Sequence, residues 1–232
     1  MKKKSIVLVA TALMLMASLI VGGTLAYFTD TDENENVFTM GNVDIVLDEA
    51  PVERVEDEWI ANDQADRVKE NTYEDIFPGA VLPKDPIVHN EGSYGAFVRV
   101  KVTVVNGMTM LPMYAEDDTL TDSLYDDCFM EMVGALGEGW KITDGIDAAE
   151  AMEKVMNGDT DATFVITYAD ELAAEADTTA VFKEISIPGN WTQEDMRLVS
   201  IQDTGFEINV FAEAIQADGF SGVDAAFEAF DA

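Results

Sequence analysis

One alternating stretch near the middle of the chain constrains the fold more than any other feature. Between positions 98 and 104, four valines alternate with Arg99, Lys101 and Thr103. Successive side chains of a strand point to opposite faces, so this pattern predicts an antiparallel strand with one apolar and one polar face.

Weaker strand patterns recur on both sides of that stretch, and turn residues separate them. The residues from Val43 to Leu47 alternate in the same way, and the acidic stretch 48–75 is predicted to be an insertion or long loop with a short helix at 63–69. The predicted elements do not alternate regularly between strand and helix along the chain. This order predicts a mainly β chain that folds as an antiparallel two-sheet sandwich with a few short helices. The other predicted elements are strands at 163–168, 180–187 and 205–215, and helices at 147–156, 194–199 and 223–230. Thr192 and Asp195 approximate a capping box at the start of the helix at 194–199. The rest of the stretch 106–161, including the mixed apolar run from Leu124 to Leu136, is predicted to be irregular.

The first residues have the pattern of a secretory signal peptide. Three lysines precede an uncharged run from Ile6 to Val21, and small residues then lead to Ala26. The apolar run is shorter than the roughly 20 residues that a membrane-spanning helix needs. We therefore expect residues 1–26 to be cleaved off between Ala26 and Tyr27, with cleavage one residue later as the alternative. Residues 27–232 are expected to form a single domain that meets the membrane only during export. An uncleaved membrane anchor is the alternative.

Charge limits the partners that such a chain can bind. The sequence holds 46 Asp and Glu against 13 Lys and Arg, a formal net charge of −33. A surface this acidic repels the phosphates of nucleic acids, so we expect no nucleic-acid binding. The same charge favours solubility, cations or basic partners.

Three blocks of sequence resemble the TasA/camelysin family of secreted proteins. Gly22 to Asp32, followed by Asn36 to Ile45, resembles the signal-peptide junction and first strand of the family. Phe77 to Ala80, followed by Asn90 to Val100, is similar to its Pro-Gly turn, Asn-x-Gly-Ser loop and next strand. Ala212 to Phe220 looks like the Ala-Glu-Ala-x-Gln strand on which some members close.

That resemblance implies a jelly-roll-like sandwich, export through a SipW-type signal peptidase, and a place in the biofilm matrix or on the cell surface of a Gram-positive bacterium. Some members assemble into fibres by donating an N-terminal strand to the next subunit. Tyr27, Phe28, Val37 and Phe38 are therefore the predicted donor-strand residues. The expected partners are the signal peptidase, further copies of the chain, and other matrix or cell-surface components. A segment that pairs within its own subunit, or stays disordered, is the alternative.

Camelysin-type proteins are also classed as metallopeptidases, which makes catalysis an alternative to a structural role. The chain has one histidine, His89, in a predicted turn, and it lacks the His-Glu-x-x-His pattern of zinc peptidases. Its single cysteine, Cys128, has acidic neighbours that disfavour a thiolate, so it is predicted to be a buried small hydrophobe. We assign no catalytic residue. A camelysin-type metallopeptidase and a monomeric adhesin or binding module remain the alternatives to a non-catalytic structural protein.

Calcium is the one cofactor that the acidic loops suggest. Asp30, Asp32 and Asn34 occupy the first, third and fifth positions of a calcium-binding loop. The sixth position, however, is Glu35 rather than Gly, and the twelfth is Gly41 rather than Glu. We expect solvated loops and no resident cofactor, with Ca²⁺ at the acidic loops as the alternative. The other acidic residues considered for a looser site are Asp117, Asp118, Asp122, Asp126 and Asp127.

Overall fold

The computed structural model describes residues 29–32, 43–115, 121–199 and 207–232. Within these ranges the chain is mainly antiparallel β structure, with short helices between the strands. The strands are β1 (Thr29–Asp32), β2 (Ile45–Asp48), β3 (Val52–Val55), β4 (Glu58–Ala61), β5 (Val81–Pro83), β6 (Ile87–Asn90), β7 (Ala96–Val104), β8 (Trp140–Asp144), β9 (Ala162–Tyr168), β10 (Glu184–Ser186) and β11 (Ile208–Gln216). The helices are α1 (Gly107–Met110), α2 (Leu124–Val133), α3 (Ala148–Asn157), α4 (Gln193–Val199) and α5 (Val223–Phe230), and a 3₁₀ turn spans Leu111–Tyr114.

A five-stranded antiparallel sheet forms one layer, in the order β1-β11-β7-β9-β8. Its central strand is β7, the alternating stretch of the sequence, which pairs with β11 on one side and β9 on the other. The four valines of β7 have no exposed surface, and Ala212 and Ala214 of β11 lie beside them on the same face. The predicted apolar face of this strand is therefore confirmed.

Two-stranded pairs and helix α2 cover that apolar face. The pairs are β2 with β6 and β5 with β10, and their inward side chains join the same buried cluster. Phe129 of α2 stacks on Phe164 of β9 with ring centroids 4.4 Å apart, and it meets Phe182 edge to face at 6.4 Å. The predicted mainly β sandwich with short helices is confirmed.

The outer face of β7 carries the predicted polar side chains, and one of them is covered by a helix. Arg99 is only 6% exposed, because helix α5 lies over it. Its guanidinium donates to Glu213 at 2.6 Å and to both carboxylate oxygens of Asp231 at 2.6 and 2.7 Å, and it stacks on Phe227 at 4.4 Å and Phe230 at 5.2 Å. This bidentate, ring-stacked geometry is typical of arginine rather than lysine, and it attaches the C-terminal helix to the sheet.

Two segments fold differently from their predictions. The stretch 48–75 contains the β3–β4 hairpin, and no helix forms at 63–69, where the backbone instead makes turns and a bridge between Glu49 and Val68. The apolar stretch 124–136, predicted to be irregular, forms helix α2, whose Phe129 and Met132 are fully buried. Tertiary burial outweighs local propensity in both segments.

The predicted helices at 147–156, 194–199 and 223–230 are confirmed, each within a residue or so. Asp147 caps α3 by accepting from the amides of Ala149 and Glu150, both at 2.8 Å. Thr192 and Asp195 form the reciprocal capping box predicted before α4.

We predict that Phe129→Ala destabilises the fold by about 3–5 kcal/mol, since it removes a fully buried ring and leaves a cavity between two other aromatic rings. Chemical denaturation of the purified variant measures this. Phe77→Ala is the matched control, because the Phe77 side chain is 38% exposed and its loss should cost about 1 kcal/mol. Equal destabilisation by the two variants would contradict the assigned core.

Candidate functional site at the edge of the five-stranded sheet

The N-terminal strand lies at one edge of the five-stranded sheet. The backbone of Thr29–Asp32 pairs antiparallel with β11, so that Thr29 is opposite Ile215 and Asp32 is opposite Ala212. An edge strand is held by hydrogen bonds on one side only, and four residue pairs are a short attachment. Strand β11 therefore presents an edge that accepts an added strand.

Half of that edge extends beyond β1. Within the described ranges, no strand pairs with Ile208 to Phe211 on the side that faces away from β7. Ile208 and Val210 are partly buried, and they line a cleft of about 500 Å³ together with Leu47 and Tyr73. The cleft is also lined by charged and polar side chains, among them Glu49, Lys69 and Asn71. Open backbone groups beside a cleft with apolar and polar walls allow an extended peptide to pair and to insert side chains.

In the sequence, the predicted site residues lie on both sides of β1. Ala26 and Tyr27 at the predicted cleavage point, and Phe28, Val37 and Phe38 of the predicted donor strand, lie outside the described residues. The described part of the same segment is β1 itself, which pairs within its own chain.

From Val43 onward the chain is fixed in the core. Val43 and Ile45 are each 1% exposed, and the amide of Glu91 donates to the carbonyl of Asp44 at 2.8 Å. Strand β2 then pairs with β6 in the opposite layer. The N-terminal segment thus leads from the edge of the large sheet to an anchored strand of the second layer.

A chain of five charged side chains lies at the end of β2. Arg67 donates to Asp48 at 2.5 Å and to Asp85 at 2.9 Å, and His89 contacts Asp48 through Nε2 at 2.9 Å and Asp177 through Nδ1 at 2.6 Å. These contacts join the acidic insertion to β2, to β6 and to the segment that precedes β10. No local pattern in the sequence indicates this network, because the partners of His89 are 41 and 88 residues away.

His89 is therefore not the solvated turn residue that the sequence predicts. It lies in β6, and its side chain is 21% exposed. Burial by itself would lower the pKa of His89, but its hydrogen bonds and charge interactions with Asp48 and Asp177 outweigh burial and raise the pKa above the ordinary 6.5. Glu91 and Glu175 line the same surface hollow and add negative charge.

The metal site of a peptidase does not fit these residues. A catalytic zinc usually takes two or three histidines with an open position. Here both nitrogens of the single histidine face carboxylates, and no group of three or more His, Cys, Asp or Glu among the described residues is arranged to hold a metal ion. We derive no catalytic step through a metal.

The cysteine is equally unsuited to nucleophilic chemistry. Cys128 is 3% exposed in α2, as predicted for a small buried hydrophobe. Burial, together with the charge of Asp127, raises the pKa of its thiol to about 11, so the thiol is protonated at neutral pH.

Two of the acidic residues considered for calcium, Asp126 and Asp127, accept hydrogen bonds from their own chain. Asp126 accepts from the amide of Ile146 at 3.0 Å, and burial, with the charges of Asp127 and Asp144, raises its pKa. Asp127 accepts from the hydroxyl of Ser123 at 2.7 Å. Of Asp30 and Asp32 only the backbone is described, and Asn34, Asp117 and Asp118 lie outside the described residues.

The His89 contacts predict a pH-dependent stability. A folded-state pKa raised above 6.5 means that protonated His89 stabilises the fold fully below pH 6.5 and that this contribution is lost as the pH rises through the raised value. The free energy of unfolding of the wild type should therefore exceed that of His89→Gln at pH 5.5, and the difference should shrink toward alkaline pH.

Denaturation curves of both proteins across this pH range test the effect. Asp177→Asn is the matched control, because it removes one of the two carboxylates and should move the transition to lower pH. A wild-type advantage that grows with rising pH would contradict the assigned contacts.

Comparisons with known proteins bear on the N-terminal part of the chain. The model of the camelysin metallo-endopeptidase family matches residues 1–67. No curated protein and no solved structure matches the chain significantly. None of the helices in the described ranges has the length and apolar character that crossing a bilayer requires. The resemblance noted in the sequence is thereby confirmed over the N-terminal part of the chain, where residues 1–67 are similar to the camelysin family.

Proposed function

We propose that this chain is a secreted structural protein of the bacterial cell surface or biofilm matrix, and that copies assemble into fibres by strand addition. Residues 1–26 act as the signal peptide for a SipW-type peptidase, and the segment 27–38 is the donor. Members of the matched family are cell-surface or secreted proteins, which supports the proposed location. The matched residues include both the predicted signal peptide and β1.

The observation that carries this proposal is the pairing of β1 with β11. Four residues of the proposed donor segment pair with the edge of β11 within one chain. A neighbouring copy presents the same four residues, so it can replace them with identical backbone hydrogen bonds. Exchange of an identical element between copies costs little free energy, since each hydrogen bond that breaks within a chain re-forms between chains.

Charge sets the conditions for assembly. Cleavage of residues 1–26 removes three lysines, which leaves 10 Lys and Arg against 46 Asp and Glu, a formal charge of −36 for each copy. Such copies repel one another, and repulsion between exposed charges weakens when salt screens them or when carboxylates are protonated. We therefore expect filaments to form at acid pH or with added Ca²⁺ more readily than in neutral buffer of low ionic strength.

Two adjacent proline variants test the strand addition. Neighbouring residues of an edge strand alternately direct their N–H groups toward and away from the paired strand. One of Asp30→Pro and Thr31→Pro therefore removes a hydrogen bond to β11, and the other is tolerated. Electron microscopy of concentrated protein should show a several-fold loss of filaments for one variant, while its neighbour resembles the wild type.

Each proline variant acts as the control for the other, and circular dichroism checks that both are folded. Filaments of equal yield from both variants would show that assembly does not use this edge. A wild type without filaments at acid pH and with Ca²⁺ would instead favour a monomeric adhesin or binding module.

A metallopeptidase is the second candidate, because the matched family model carries that description. The arrangement of the described residues argues against it, since the single histidine is engaged by two carboxylates. We predict that the purified protein shows no chelator-sensitive cleavage of casein. Cleavage that chelator abolishes, and that His89→Ala loses while Tyr94→Ala retains, would overturn the structural proposal.

A further inference from the structure

Helix α3 has the reverse of the usual orientation of a surface helix. Of its ten residues, Ala151 alone is buried, at 2% exposed. The side chain of Lys154, which pairs with Glu150 at 3.5 Å, is 23% exposed, whereas Met156 is 83% exposed. An amphipathic helix normally turns its apolar stripe to the core and its charges to solvent.

The exposed side chains form a continuous apolar stripe. Met152, Val155 and Met156 are 58%, 62% and 83% exposed, and the spacing of three and four residues places them next to one another on one face. Val155 and the two methionines are the most exposed of the large apolar side chains in the described ranges. Methionine side chains adapt to differently shaped partners, and such clusters occur on surfaces that bind peptides.

Helix α3 and the residues on either side of it in the sequence are rich in acidic side chains, which together form its acidic rim. Between positions 144 and 161 the sequence contains six acidic residues and a single lysine, Lys154, which is already paired with Glu150. The acidic residues are Asp144, Asp147, Glu150, Glu153, Asp159 and Asp161. An apolar stripe inside a negative rim is complementary to apolar side chains flanked by lysine or arginine.

The negative charge near α3 disfavours two other binding partners for its exposed face, a second copy of the chain and an anionic bilayer. A second copy brings the same acidic rim beside its own α3, so two α3 helices repel each other. An anionic bilayer is repelled for the same reason.

We propose that the exposed face of α3 is a docking surface for a cationic amphipathic polypeptide, with Met152, Val155 and Met156 as the apolar contacts and the acidic rim as the charge contact. The surface lies outside the family match and is separate from the β11 edge. Its test is therefore independent of fibre assembly.

The test is a titration of the purified protein into a dye-labelled synthetic peptide with leucine and lysine at helical spacing, followed by fluorescence anisotropy. The double variant Met152→Gln/Met156→Gln should bind roughly tenfold more weakly or worse, because it removes the apolar contacts and leaves the rim unchanged. Val55→Gln is the matched control, because Val55 is 48% exposed on the β3–β4 hairpin. It should bind like the wild type, and a peptide with glutamate in place of lysine should not bind.

Three results would overturn the proposal. Equal affinity of the wild type and the double variant would mean that the peptide is held by overall charge alone. Self-association of the wild type in sedimentation velocity, abolished in the double variant, would make α3 a contact between copies. Binding to phosphatidylcholine vesicles without binding to the peptide would make it a lipid contact.

Discussion

The pairing of β7 with β11 is the constraint on which the rest of the structure depends. Nine consecutive residue pairs join the two strands, and their inner faces carry fully buried side chains. Their outer faces meet through Arg99 and Glu213, which lie directly opposite each other and are covered by α5. Because β11 is fixed on its β7 side and on both faces, its remaining edge keeps a constant shape, and a strand can be exchanged there without disturbing the core.

Several partly buried basic side chains join distant segments of the chain by ion pairs with carboxylates. Arg99 joins the sheet to α5, Arg67 joins the acidic insertion to β2, and Lys84 pairs at 2.6 Å with Glu49, which is 3% exposed. A partly buried cation with carboxylate partners on both sides costs desolvation, which the charge-assisted hydrogen bonds offset.

Local patterns predicted the features that a few neighbouring residues determine. The alternation in β7, the Thr192–Asp195 capping box and the burial of Cys128 all depend on short stretches, and all are confirmed. His89 and α2 were predicted wrongly, and the burial of Arg99 was not predicted, because partners distant in sequence decide their surroundings. The two partners of Arg99 are 114 and 132 residues away, and no spacing rule connects them. The exposed apolar face of α3 was not predicted for the same reason, since periodicity shows that a helix is amphipathic but not which face packs against the rest of the protein.

The central claim is that a strand from one copy pairs with β11 of another, and a mixing experiment with single added cysteines tests it most directly. One protein carries Asp32→Cys and the other Ala212→Cys, at positions that lie opposite each other in the register of β1 and β11. A disulfide between these two chains requires a strand from one copy on the edge of the other, because the native Cys128 is buried. The account predicts a cross-linked dimer under filament-forming conditions, and no dimer when Asp57→Cys, on an exposed residue, replaces Asp32→Cys. Filaments that form without that cross-link would contradict the pairing of a strand from one copy with β11 of another.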